Sequence, residues 1–135
     1  MTLFSALSIA GSGVDAMQTW IDTAGGNIAN ANDAVPPNQP AYAAQTTLLS
    51  PVGSPIPGQV GSGVQATVAE GSTTGVLAYE PNNPIAGPNG EVRVPNVSIS
   101  NQLVGLIEAQ TGYQANTSFM AHAVAAYQSG LTIGS

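Results

Sequence analysis

Residues 3–28 read LFSALSIAGSGVDAMQTWIDTAGGNI, and apolar side chains recur through them in alternating steps of 4 and 3 residues. That spacing places the side chains on one face of an α-helix, as in a coiled coil. This N-terminal apolar face consists of Leu3, Leu7, Ala10, Val14, Met17, Ile21, Ala24 and Ile28. The four glycines of the stretch each cost about 1 kcal/mol relative to alanine in a helix interior. We therefore predict an N-terminal helix that is stable only when other protein packs on it.

Residues 96–135 carry a second apolar face with the same spacing. All ten prolines lie between Pro36 and Pro95, so both ends of the chain are free to form long helices. The C-terminal apolar face consists of Ile99, Leu103, Leu106, Gln110, Tyr113, Thr117, Met120, Val124, Tyr127 and Leu131. Two such faces at opposite ends of one chain predict helices that pack on each other or on neighbouring molecules.

The middle of the chain is rich in proline and glycine and indicates loops with short strands. Pro88-Asn89-Gly90 predicts a turn, and Pro51–Gly58 predicts a flexible or polyproline-like connector. The predicted strands are Tyr42–Leu49, Gly63–Glu70, Val76–Tyr79 and Glu91–Val94.

The predicted fold class is mainly α with a small β region. Long N- and C-terminal helices pack as a coiled coil, with short β-strands and loops between them. The chain then divides into an N-terminal helical arm (1–35), a small β region with loops (36–95) and a C-terminal helical arm (96–135). We expect these three parts to form one structural unit.

The chain is almost free of charged side chains. Only 6% of its 135 residues are charged, with no lysine, a single arginine (Arg93) and a net charge of −6, whereas about a quarter is usual. The lack of a basic stripe excludes nucleic acid and anionic membrane surfaces as partners. A nearly uncharged surface favours packing against other protein, because little charge has to be desolvated. A secreted protein with a weakly charged surface is the simpler alternative.

Cysteine is absent, which excludes a disulfide framework and a thiolate nucleophile or metal ligand. Residues Met1–Ala10 lack the basic segment that begins a secretory signal peptide. If the protein leaves the cytoplasm, we expect it to do so without a cleaved leader. Its apolar stretches are shorter than the ~20 residues that span a bilayer.

The sequence offers little material for catalysis. His122 is the only histidine, and no carboxylate lies within a helical turn of it. Gly11–Ala16 matches the dinucleotide fingerprint Gly-x-Gly-x-x-Ala, but the helical spacing runs through both glycines and leaves no strand–turn–helix to hold a cofactor. The acidic residues are scattered without metal-ligand spacing. We predict no enzymatic activity, no cofactor, no metal site and no small-molecule substrate.

A motif at the end of the first helix resembles one found in flagellar axial proteins. It is Asn27-Ile28-Ala29-Asn30-Ala31-Asn32. Further segments resemble the flagellar basal-body rod protein family, and the length and spacing agree with its short proximal rod type. They are Tyr79–Pro84 with Ala86, Gly90, Val92 and Pro95–Val97, then Glu108-Ala109, Tyr113–Asn116 and Leu131–Gly134. The resemblance covers essentially the whole chain.

The resemblance implies two terminal helices that form an inner coiled-coil tube, with a small β region outside it. It implies a structural subunit of the proximal rod, which polymerises into the drive shaft that transmits torque for motility. The protein would cross the flagellar type III export apparatus unfolded and assemble in the periplasmic part of the basal body. The implied partners are copies of itself, the other proximal rod proteins, the distal rod and the adaptor between the rod and the membrane ring.

Both apolar faces and the asparagine motif contribute to the predicted helix–helix and subunit interface. Its residues are Leu3, Leu7, Val14, Met17, Ile21, Ile28, Asn27, Asn30, Asn32, Ile99, Leu103, Leu106, Tyr113, Asn116, Met120, Val124, Tyr127 and Leu131. The asparagines are expected to bond main-chain groups where the first helix ends.

The chain departs from the family pattern at two positions that usually carry arginine. Pro40-Ala41-Tyr42-Ala43 lacks the arginine that usually follows the tyrosine, and Thr111 stands where another arginine is frequent. These departures imply that apolar and amide contacts hold the subunits together. A soluble coiled-coil adaptor or scaffold protein is the alternative, although such a protein would carry charges beside its apolar face, which this chain lacks.

Overall fold

The computed structural model describes residues 3–53 and 61–133. Two long helices, α1 (Leu3–Ala29) and α2 (Ile99–Ile133), flank the rest of the chain in the sequence. Four short strands lie between them: β1 (Gln45–Val52), β2 (Gly63–Glu70), β3 (Val76–Tyr79) and β4 (Glu91–Val94). The predicted fold class, mainly α with a small β region, is confirmed. Within the described ranges, neither helix has a stretch long and apolar enough to cross a bilayer.

The two helices pack side by side and run in opposite directions. Asn27 near the end of α1 bonds Gln102 in the first turn of α2. Further along, the Met17 sulfur lies 2.7 Å from the position that a Cβ on Gly112 would occupy, and the Asn116 side chain lies equally close to that of Gly13. Since residue numbers fall along one helix as they rise along the other, the pair is antiparallel.

Small residues line this helix contact. On α2, Ala109 is fully buried. On α1, which packs on both α2 and strands β1 and β2, Ala16 lies beside β2 and Thr23 bonds Thr47 of β1. The buried positions of α1 are Ala10, Gly13, Ala16, Thr23, Ala24 and Asn27. Glycine and alanine allow the two backbones to approach closely, so a bulkier residue at such a position would push them apart. Each helix thus receives the tertiary support that its glycine content requires.

The strands form two separate antiparallel ribbons. In the first, β1 pairs with β2. The pairing begins with Gln45 opposite Glu70 and ends with Val52 opposite Gly63, and this hairpin packs on α1. In the second, β3 pairs with β4. Arg93 of β4 also forms a bridge with Val35.

Three strands have the predicted bounds, and β1 does not. It begins at Gln45 rather than Tyr42, because the Tyr42 hydroxyl bonds α1 and holds residues 42–44 in a loop. It continues through Pro51 and Val52, which the sequence assigned to a connector. Proline is tolerated there because each strand of a two-stranded ribbon is an edge strand. Residues 54–58 of the predicted connector and Gly134 lie outside the described residues.

The turn predicted at residues 88–90 is confirmed. Gly90 has a φ of 73°, a left-handed conformation that glycine adopts without strain. Its amide donates to the Gly87 carbonyl at 2.9 Å, and its carbonyl accepts from Glu80 at 2.8 Å. The turn closes the connection between β3 and β4.

Arg93, the only arginine, is fully engaged within the chain. Its Nε and Nη2 donate to the Pro37 carbonyl at 2.9 and 2.6 Å, and its Nη1 donates to the Thr74 carbonyl. The side chain therefore ties the loop after α1 and the turn before β3 to β4. Its charge is directed at main-chain carbonyls.

Candidate helix–helix and subunit interface

Asn27 is the junction at which the helices and the first hairpin meet. Its side chain is fully buried. Nδ2 donates to the Gln45 carbonyl at 2.7 Å and to Gln102 Oε1 at 3.0 Å, while Oδ1 accepts from the Gln45 amide at 2.8 Å and the Tyr42 hydroxyl at 3.1 Å. Both donors and both acceptor sites of the amide are thus used. One side chain joins α1, the loop after it, β1 and α2.

The other two asparagines of the motif have lesser contacts. Asn30 Nδ2 donates to the Gly26 carbonyl at 2.8 Å, and the same carbonyl accepts the Asn30 amide at 3.1 Å. Asn32 is exposed in the turn that follows. Asn27 and Asn30 therefore bond main-chain groups, and Asn27 also bonds two side chains from distant parts of the sequence.

The N-terminal apolar face lies only partly in the contact with α2. Ala10 and Ala24 are buried, and Met17 packs on Gly112. The larger residues of the face are half-buried: Leu3, Leu7, Val14, Ile21 and Ile28. The sequence interpretation missed Gly13, Ala16 and Thr23, because small and polar residues give a weak apolar signal. It missed Trp20 because that residue lies outside the alternating spacing of 4 and 3. Recurrence of small residues at helical spacing is the signal that could have found Gly13 and Ala16.

The C-terminal apolar face is rotated away from α1. The α2 residues that meet α1 include Gln102, Gly105, Ala109, Gly112 and Asn116. Most residues of the predicted face lie one position further along α2 than these contact residues, which corresponds to a rotation of about 100° around the helix. Leu106, Tyr113 and Met120 are half-buried at the edge of the contact, and Ile99, Leu103, Val124, Tyr127 and Leu131 are exposed.

The exposed part of the C-terminal apolar face leaves a large apolar surface on the isolated chain. Leu103 is 47% exposed, and its neighbour on the same side, Ile107, is 63% exposed. The chain exposes 8466 Å² in all, whereas a compact monomer of this size exposes about 6,500 Å². Large apolar side chains exposed together on one helix mark a site of contact with other protein.

The chain is similar to known proteins over most of its length. A family model described as flagellar basal body rod FlgEFG protein C-terminal matches residues 89–132, from the turn before β4 through almost all of α2. The flagellar basal-body rod protein FlgC of Salmonella typhimurium is 36% identical over 117 residues, which cover 86% of each chain. This chain belongs to the FlgC family of flagellar basal-body rod proteins.

Other FlgC proteins show similar relationships. The FlgC of Escherichia coli O157:H7 is 34% identical over 117 residues, again 86% of each chain. That of Borreliella burgdorferi is 28% identical over 149 residues, with 98% of each chain covered. The resemblance stated from the sequence is therefore confirmed, and the chain has a structural role in the flagellar rod of the basal body.

The residues of this FlgC-family chain that were considered for catalysis or cofactor binding lie on its two helices. His122 is exposed on α2. Gly11–Ala16 lie inside α1, where Gly13 packs on Asn116 and so serves helix packing, whereas a Cβ on Gly11 would meet nothing within 4 Å. Across residues 3–53 and 61–133, no group of three or more His, Asp or Glu side chains could hold a metal ion.

Proposed function

We propose that this chain is a structural subunit of the proximal rod and polymerises into the drive shaft that transmits torque for motility. The observation that carries the proposal is the exposed apolar surface of α2 in a member of a rod protein family. The surface excess over a compact monomer is about 1,900 Å². A standard interface removes about 800 Å² from each partner, so the excess suits more than one neighbour.

The helix pair supplies the stiffness that a drive shaft needs. Close packing through small residues and a buried, fully bonded asparagine leave little freedom between the helices. Torque applied to one subunit would then pass to the next through the exposed face of α2. Because the chain carries few charges, subunits can approach with little desolvation of charged groups.

We also propose the neighbouring proteins of the chain in the rod and its export pathway. The neighbours are copies of the chain, other proximal rod proteins, the distal rod and the adaptor to the membrane ring, in the periplasmic part of the rod. The flagellar type III apparatus would export the chain unfolded, and contacts with neighbouring subunits would then add to the support that α1 receives from α2. Nucleic acid and small-molecule substrates have no place in this function, and the chain acts without enzymatic activity.

Deletion of the gene tests the proposal. We expect the deletion strain to be non-motile and its basal bodies to lack a complete rod. Restoring the wild-type gene should restore both, whereas Val14→Asp and Leu106→Asp should not, because each places a carboxylate in a half-buried apolar contact. Electron microscopy of isolated basal bodies and swimming assays measure these outcomes. Intact rods and normal swimming in the deletion strain would exclude the proposed function.

A further inference from the structure

A groove of about 360 Å³ lies between α1, β1 and the first half of α2. Its lining includes Trp20 and Thr23 from α1, Thr47 from β1, and Val104 and Glu108 from α2. A liquid water occupies about 30 Å³, so the groove has room for one or two long side chains. Trp20 forms one wall, with its indole nitrogen 3.3 Å from the position that a Cβ on Gly105 would take.

The Glu108 carboxylate and the Trp20 indole N–H are among the polar groups of this groove that have no partner in the described part of the chain. The exposed Glu108 carboxylate has neither a hydrogen bond nor an ion pair there, and no acceptor lies within range of the half-buried Trp20 indole N–H. Among the neighbouring polar side chains, Thr47 donates to Thr23 at 2.9 Å and Gln102 bonds Asn27. A free carboxylate beside an aromatic ring and an apolar side chain matches the chemistry of a guanidinium group.

A second copy of this chain cannot supply that group from a free side chain. The sequence contains no lysine. Its single arginine, Arg93, already donates to the Pro37 and Thr74 carbonyls, and removing it would leave these contacts unmade. Charge complementarity therefore points to a partner of different sequence.

We propose that this groove receives an arginine side chain of a different rod subunit. The guanidinium pairs with Glu108, and the side-chain stem packs on Trp20 and Val104. This inference rests on the proposed rod function and adds to it the chemistry of one partner. The chain would then make two kinds of contact. Copies of the chain meet through uncharged surfaces, and the groove binds a basic side chain of a different subunit.

A peptide titration of the full-length chain tests the groove directly. Trp20 is the only tryptophan, so its fluorescence reports on this groove alone. We expect a saturable change with the peptide acetyl-Ala-Leu-Arg-Leu-Ala-amide, and a much weaker one when glutamine replaces the arginine. Glu108→Gln should weaken binding of the arginine peptide about threefold to tenfold. Asp15→Asn, which changes an exposed carboxylate outside the groove, should leave binding unchanged.

Three results of the titration would overturn the inference. They are equal responses to the two peptides, an unchanged affinity in Glu108→Gln, and no saturable change up to the solubility limit of the arginine peptide. High salt should also weaken binding, because the ion pair is partly open to solvent.

A strain test separates this inference from the proposed function. We expect Glu108→Lys to reduce recovery of the chain in isolated basal bodies at least tenfold, and Glu108→Asp to retain it because the charge remains. If deletion of the gene abolishes the rod but Glu108→Lys assembles normally, the groove proposal is wrong and the rod function stands. If deletion leaves the rod intact, the rod function itself is wrong.

Discussion

Asn27→Ala is expected to lower the free energy of unfolding by about 3 kcal/mol or more. The substitution removes four hydrogen bonds and leaves the main chain of Gln45, the Tyr42 hydroxyl and the Gln102 amide without their shared partner. Each buried polar group left unpaired costs about 1–3 kcal/mol. Since the four segments meet at this side chain, the hairpin and the start of α2 should both loosen.

Urea denaturation followed by Trp20 fluorescence measures the loss, and amide hydrogen exchange shows where it occurs. We expect faster exchange at the start of both β1 and α2. Asn32→Ala is the matched control from the same motif, and because Asn32 is exposed it should stay within about 0.5 kcal/mol of wild type. An Asn27→Ala variant as stable as Asn32→Ala would show that the junction does not hold the elements together.

Ala109→Glu is expected to separate the two helices. Ala109 is fully buried in the contact with α1 and has no space for a longer side chain. The variant combines overpacking with a buried, unpaired carboxylate, for which we expect a loss of more than about 4 kcal/mol. Trp20, which packs on Gly105 one turn away, should shift its emission to the red as the contact opens.

Ala115→Glu makes the same chemical change on the same helix at an exposed position. We expect this control to keep the wild-type emission and a helicity, measured by circular dichroism, close to that of wild type. An unshifted emission and an unchanged urea midpoint in Ala109→Glu would mean that the helices do not pack through Ala109.

The elements with strong local signals could be predicted from the sequence. Both helices follow from helical spacing and from the confinement of proline to residues 36–95. The strands β2, β3 and β4 follow from short apolar stretches between turn residues. Pro51 misled the prediction for β1, because a proline ends a strand only where its missing N–H is needed by a neighbour.

The face on which the helices meet could not be predicted, because apolar spacing marks every surface that becomes buried, including surfaces buried by other molecules. In α2 the larger apolar residues such as Leu103 and Ile107 point away from α1, and Gly105 and Ala109 allow the close contact. The role of Asn27 depends on Tyr42, Gln45 and Gln102, which are distant in sequence. Motif resemblance marked Asn27 without giving its partners.

The central claim is that neighbouring subunits cover the exposed apolar surface of α2 in the rod. The chain contains no cysteine, so Leu103→Cys introduces a single thiol on that surface. The measurement is the rate at which a maleimide labels this thiol in the free chain and in isolated basal bodies. Basal bodies dissociated in urea serve as the control for reagent access. We predict labelling at least tenfold slower in intact basal bodies than in the free chain, whereas equal rates in both would contradict the account.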